Sequence, residues 1–496
     1  MKREDLYNGI TDIRDDLIDG AGKAEKGKRR RRWAAAAAVL AVAVGVGAAL
    51  WGRDASHCST ERQDAVGCRA ANYAVGIAAY PEMAPYPDES KYTNQLTGGY
   101  NSEAFSKDFD AWRDGRRAQL GRMPEDLENL TPFFADSARQ FLDGGGENRV
   151  YSPLNVYMAL SMLAELTEGD SRRQVLDLLG VDSIENLRAQ ANGLWNANYC
   201  DDGAVTSVLA SSLWLNENIN FVPETMETLA ENYYASSFRG KMGDEAFSEA
   251  LRDWLNTQTG GLLAEQAEGV ELTPETVMAL ATTIYFRARW GSEFNPSQTA
   301  PQTFHAPSGD LECDFMHSGG TEAYFWGDRF AAVGKSLNES GYLWFLLPDE
   351  GVTPEALLED EQALDFLLRL DRDKWEWENQ KGLIVNLAVP KFDVSSDVDL
   401  TAGLKELGVT DVFDAGMSDF SPMTADTDVF LSEAEHAARV KIDEEGVTAA
   451  AYTMMLMTGA GMPPEEEVDF TLDRPFLFAI TGESGLPLFL GVVNRP

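Results

Sequence analysis

VYMALSMLAEL, residues 156–166, is apolar on nearly every side of a helix, and a helix of that kind has to be buried. Burial on all sides demands packed layers around it. TPFFADSARQFL, residues 131–142, supplies a neighbour, with Phe133, Phe134, Ala138, Phe141 and Leu142 on one helical face. VTSVLASSLWLNE, VMALATTIYFRARW, YLWFLLPDEG and LIVNLAVPKFDV are β-branched or aromatic runs between turn residues, and they read as strands. Helices lead, and strands dominate the middle and the end. That order predicts an α+β domain on large antiparallel or mixed sheets rather than a regular βαβ alternation.

A second constraint precedes this domain. WAAAAAVLAVAVGVGAALW, residues 33–51, is uncharged over about the 20 residues that a helix needs to cross a bilayer. KGKRRRR, residues 26–32, stands before it, and by the positive-inside rule stays cytoplasmic. The expected organisation is a cytoplasmic basic tail (1–32), one transmembrane helix (33–51), an extracytoplasmic stalk with little fold (52–124) and a globular domain (125–496). A cleaved secretory signal is the competing reading of the apolar run, which would make the protein secreted. Cys58 and Cys68 lie in the stalk, where a local disulfide is permitted, while Cys200 and Cys313 lack any CxxC partner and read as buried thiols.

Composition excludes several functions. With 81 Asp and Glu against 41 Lys and Arg, net charge is −40, and a nucleic-acid partner, which needs local positive charge, is not expected. Four histidines, His57, His305, His317 and His436, are scattered without an HExxH, so no metal site or cofactor is expected. There is no GxSxG nucleophile elbow and no GxGxxG after a strand. GDRFAAVGKS, residues 327–336, imitates a phosphate loop, but Arg329 stands where the first glycine belongs.

From about residue 127 to the C-terminus, a run of segments in order resembles the serpins, a family of serine protease inhibitors. NRVYSPLNVYMALSMLAELTEGDSRRQVLDLLG resembles the family's first buried helix and the turn after it. VMALATTIYFRARWGSEFNPSQT is similar to its strand and tryptophan segment, LIVNLAVPKFDVSSDVDLTAGLKELGVTDVF to its PKF segment, and RPFLFAITGESGLPLFLGVVNRP to its C-terminal hairpin. The resemblance implies the serpin fold: N-terminal helices, three β-sheets and an exposed reactive-centre loop at about residues 444–467. It also implies a bacterial, membrane-tethered, monomeric inhibitor of serine proteases rather than an enzyme, with no cofactor. A non-inhibitory serpin serving as a surface binding module is the alternative.

EEGVTAAAYTMMLMTGAGMPPEEE, residues 444–467, falls where that family carries its hinge and loop. In the family a protease cleaves the loop, and the cleaved strand then inserts into the central sheet and carries the protease with it. The hinge maps to Glu444, Gly446, Val447, Thr448, Ala449, Ala450 and Ala451. At period two, Val447, Ala449, Ala451 and Thr453 share one face and are small or β-branched, so they can enter a packed sheet without overfilling it. Counting along the family's hinge-to-bond spacing puts the scissile bond between Ala460 and Gly461, with Met457 and Met462 as alternatives. These residues suit a shallow apolar pocket of elastase or subtilisin type. Glu465, Glu466 and Glu467 would favour a protease with positive charge on its leaving-group side. By the same resemblance Trp290 marks the top of the central sheet, where insertion begins. Ser152, Thr282 and His436 form the polar cluster beneath the strands that part, with Thr282 in the place of the family's usual asparagine.

Overall fold

A computed structural model describes residues 38–46, 69–93, 100–368, 377–447 and 466–496. Helices α1 (Ser102–Leu120), α2 (Leu130–Leu142), α3 (Pro153–Leu166), α4 (Gly169–Leu179), α5 (Ile184–Asn198), α6 (Pro223–Tyr233) and α7 (Glu245–Gln258) occupy the first half. Strands β1 (Ala38–Val46), β2 (Ala74–Gly76), β3 (Arg149–Tyr151), β4 (Cys200–Asp201), β5 (Thr206–Asn216) and β6 (Ala235–Gly240) lie among and before them. There follow β7 (Met278–Arg289), β8 (Ala300–Ala306), β9 (Gly309–Trp326), β10 (Phe330–Ser336), β11 (Tyr342–Pro348) and β12 (Gln380–Pro390). The chain ends through β13 (Phe392–Asp399), β14 (Leu431–Ile442), β15 (Gly446–Val447), β16 (Glu467–Thr471), β17 (Phe476–Thr481) and β18 (Pro487–Val493).

The strands form two nine-stranded mixed sheets. The first runs β13-β14-β1-β7-β5-β6-β2, with β15 and β4 attached to β7 and β5. The second runs β16-β12-β9-β10-β11-β17-β18-β3, with β8 on β9. Three sheets were expected, and β9 is the reason for two. Its 18 residues pair with β8 and β12 along most of their length and with β10 at the far end, so one continuous strand fuses two sheets.

Helix α3 is buried along its whole length, as its uniform apolarity predicts. It starts sharply because Ser152 Oγ accepts the Asn155 N–H at 3.2 Å and Pro153 occupies the first turn, where its missing N–H costs nothing. Helix α2 packs beside it, with Phe133 in edge contact with Tyr157 at 5.8 Å.

Two expectations fail at the N-terminal side. Residues 38–46 of the expected transmembrane helix are strand β1, at the centre of the first sheet and parallel to both β7 and β14. β-branched valine at every second place from Val42 to Val46 favours extended backbone, and a sheet interior accepts such a run as readily as a bilayer. Among the described residues no helix is long and apolar enough to cross a membrane. Much of the expected stalk is also folded. β2 pairs antiparallel with β6 and forms the edge of the first sheet, and the Tyr80 ring lies 5.4 Å from Trp195 and 5.5 Å from Tyr199. Trp112 Nε1 donates to Asp202 at 2.8 Å, and the buried Arg116 guanidinium pairs with Glu483 at 2.6 Å. Aromatic anchors and a buried cation hold the segment to the domain. Cys58 and Cys68 lie outside the described residues. Cys200 is buried, whereas Cys313, on β9 opposite Gln302 of β8, is only half-buried.

Candidate functional site

The site lies where β14 leaves the first sheet. At its end Asp443, Glu444 and Glu445 turn across the top of β7, and β15 pairs antiparallel with it, Gly446 opposite Arg289 and Val447 opposite Ala288. Gly446 is required by contact: a Cβ there would stand 2.6 Å from the Ala288 carbonyl oxygen and 2.7 Å from Arg289 Cα. Val447 is fully buried, so the chain enters the sheet interior in its first two residues.

Trp290 organises this turn. It is 2 % exposed, its indole N–H donates to the Asp443 carbonyl at 2.8 Å, and its backbone N–H donates to the Glu445 carbonyl at 3.3 Å. The Phe294 N–H donates to the Glu444 carbonyl at 3.0 Å, and the two rings meet edge to face at 5.6 Å. Glu444 is held on its side-chain end as well, by Lys391 Nζ at 2.7 Å and the Thr299 hydroxyl at 2.8 Å. Burial alone would raise its pKa, but the bonds from Lys391 and Thr299 outweigh it and hold the carboxyl below its ordinary value. Lys391, Phe294 and Thr299 were not singled out from the sequence. Lys391 lies in the VPKF run, where its charge between apolar strand residues was the available signal.

Lys335 completes the floor, its ammonium 4.3 Å from the centre of the Phe294 ring and 5.7 Å from that of Trp290. Burial lowers its pKa to about 8, against a weaker opposing pull from Glu322. Between about pH 8 and the unperturbed 10.5 the unfolded chain holds the proton that the folded chain has released, so stability rises with pH across that window. Urea midpoints measured from pH 7 to 10.5 should climb, and Lys335→Met should flatten the climb. An equal climb in the variant would assign it to other groups.

The expected polar cluster is only partly assembled. His436 Nε2 accepts the Ser152 backbone N–H at 3.1 Å, so Nδ1 carries the proton, and burial brings the imidazole pKa down to about 3. The His436 ring is fully buried and meets Tyr151 edge to face at 5.3 Å. Thr282 does not join it. Strand β1 runs between them, with residue 42 in register with Thr282 on one side and His436 on the other. Both Thr282 Oγ1 and His436 Nδ1 are buried without a hydrogen-bond partner.

Beyond Val447 the chain reappears at Glu466, where β16 joins the second sheet parallel to β12. Thr448, Ala449, Ala450, Ala451, Met457, Ala460, Gly461 and Met462 lie outside the described residues. Two of the three following glutamates are engaged within the domain: Glu466 with Lys381 at 2.6 Å, and Glu467 with the Asn386 amide at 2.7 Å. The described chain is anchored in the first sheet at Val447 and resumes at Glu466 on the edge of the second.

A family model described as Serpin (serine protease inhibitor) matches residues 129–496. A protein of Oryza sativa subsp. japonica named Putative serpin-Z12 is 30% identical over 395 residues, covering 71% of this chain and 86% of its own. The human Leukocyte elastase inhibitor is 28% identical over 364 residues, covering 70% of this chain and 93% of its own. Among solved structures, the thermophilic serpin Tengpin in its native state superimposes with a TM-score of 0.64 at 24% identity, over 75% of this chain and 96% of that one. Thyroxine-binding globulin in complex with thyroxine gives a TM-score of 0.63 at 22% identity, over 74% and 99%.

Proposed function

This chain belongs to the serpin family, and from that membership we propose that it inhibits serine proteases as a suicide substrate. Serpins are in general protease inhibitors rather than enzymes. The observation that carries the inhibitory reading is the start of the loop: Gly446 and Val447 pair with β7, Val447 points inward, and the positions that would follow it on that face, Ala449 and Ala451, are small. An antiparallel strand continued from this register would set Ala449 opposite Phe286 and Ala451 opposite Ile284, so β7 offers insertion a template once β1, which pairs with the same residues, is out of the way. The target we propose has a shallow apolar primary pocket of elastase or subtilisin type, since Ala460 and its alternatives Met457 and Met462 are small or unbranched. The likeness to elastase inhibitors supports this choice. The inhibitor acts as a monomer, and no nucleic acid takes part.

Incubation with pancreatic elastase or subtilisin followed by a denaturing gel tests the reading. A covalent band at the summed mass of the two chains is the expected result. Cleavage of the loop with no such band, both in this chain and in variants that free the central sheet, would overturn inhibition, and no cleavage at all would favour a binding module, the reading to which the likeness to thyroxine-binding globulin lends its support. Placement outside the cytoplasmic membrane belongs to the same proposal, and it requires β1 to be out of the sheet, so that the apolar run can span the bilayer behind the basic residues 26–32. Labelling intact cells with a membrane-impermeant amine reagent tests it, and absence of label on the domain would refute it.

A further inference from the structure

The gap that a cleaved loop must enter lies between β7 and β14, and β1 is in it. Residues 39–46 pair with 279–286 of β7, and 38–46 pair with β14. Continued antiparallel from Val447, the loop would need those same β7 backbone groups, beginning at Phe286. Val46 already faces Phe286. The two segments cannot occupy the sheet together. They are also chemically alike: AVLAVAVGV and GVTAAAYT are both dominated by small and β-branched residues, which enter a packed sheet without overfilling it.

A second observation is independent of the register. Thr282 Oγ1 and His436 Nδ1 are buried and unpartnered, on strands held apart by β1 and in the same row. Paired residues of neighbouring parallel strands share a face, and adjacent strands lie about 4.8 Å apart. With β1 present the two groups are two spacings apart; with β1 gone, β7 and β14 can pair directly and bring an N–H donor to a hydroxyl acceptor. Burying unpartnered polar atoms leaves their desolvation uncompensated, so the plugged sheet is handicapped against the closed one. β1 also pairs in parallel on both sides, the slightly weaker ladder, whereas the loop would form antiparallel ones.

We propose that β1 is an internal competitor of the reactive loop: while residues 38–46 fill the sheet the cleaved loop has nowhere to insert, and their withdrawal arms the inhibitor. This rests on the inhibitory reading above. The test uses the full chain, wild type and Val42→Pro, since proline cannot serve a central strand. Leu40→Asp, which keeps the backbone N–H, is the second variant, and cooperative unfolding shows that each is folded. Two readouts are taken. The first is uptake of a synthetic peptide of residues 447–456, seen as a raised melting temperature; the second is the fraction of elastase captured as covalent complex rather than released with cleaved loop. Both folded variants should take up the peptide where wild type does not, and should raise the captured fraction several-fold. Equal peptide uptake by wild type and variants would overturn the competitor. Altered uptake with no covalent complex in any form would leave the competitor standing and overturn the inhibitory reading instead.

Discussion

Changing Ala449 to arginine should abolish the covalent complex while leaving cleavage of the loop intact. Val447 is fully buried at the start of the inserted stretch, and at period two Ala449 is the next residue on that face. Its place would lie opposite Phe286, itself fully buried, against the layer that α3 occupies. A guanidinium there must be desolvated without a partner or must bend the new strand away, and either penalty amounts to several kcal/mol. Insertion competes with hydrolysis of the acyl-enzyme, and each 1.4 kcal/mol added to its barrier slows it about tenfold. The loop should therefore be cut and the protease released. Ala450→Arg is the control, since in an inserted strand its side chain would lie on the opposite face. It should retain most of the complex. Loss of complex to the same degree at both positions would show that the parity read from Val447 does not continue into the loop.

That parity was legible in the sequence because small residues at alternate positions are a simple pattern. So was α3, where apolarity on every side leaves burial as the only outcome. β1 was not legible, although its own alternation is equally simple: Leu40, Val42, Val44 and Val46 are large, while Ala41, Ala43 and Gly45 are small. A hydropathy reading averages over that alternation and reports only an apolar run of membrane length. The folded part of the expected stalk was hidden for another reason. Tyr80, Tyr86 and Trp112 follow no period, and their partners, Trp195, Tyr199 and Asp202, lie far along the chain. The contacts of Glu444 with Lys391 and Thr299 are likewise long-range pairings that no local pattern encodes. The PKF motif gave the place of Lys391 without its partner.

Trp290→Ala should be among the most damaging single changes at the site, lowering the free energy of unfolding by about 3–5 kcal/mol. The side chain is 2 % exposed and packs against both Phe294 and Lys335. Its loss leaves a cavity, and the carbonyl of Asp443 loses the indole N–H that holds it at 2.8 Å. Two effects are thus combined, packing and anchoring of the hinge, and Trp290→Phe divides them. Phenylalanine retains much of the bulk but cannot donate, so its cost should approach that of a single hydrogen bond, about 1 kcal/mol. Both variants should free the hinge: amide exchange at Gly446 and Val447 should accelerate, because their pairing with Arg289 and Ala288 depends on the turn that Trp290 ties down. Urea unfolding gives the first quantity and hydrogen exchange the second. If Trp290→Phe loosens the hinge amides as much as Trp290→Ala while costing far less stability, the indole hydrogen bond rather than the ring's bulk fixes where the loop begins. If neither variant alters exchange, the hinge is held by Glu444 with Lys391 and Thr299, and Trp290 serves packing alone.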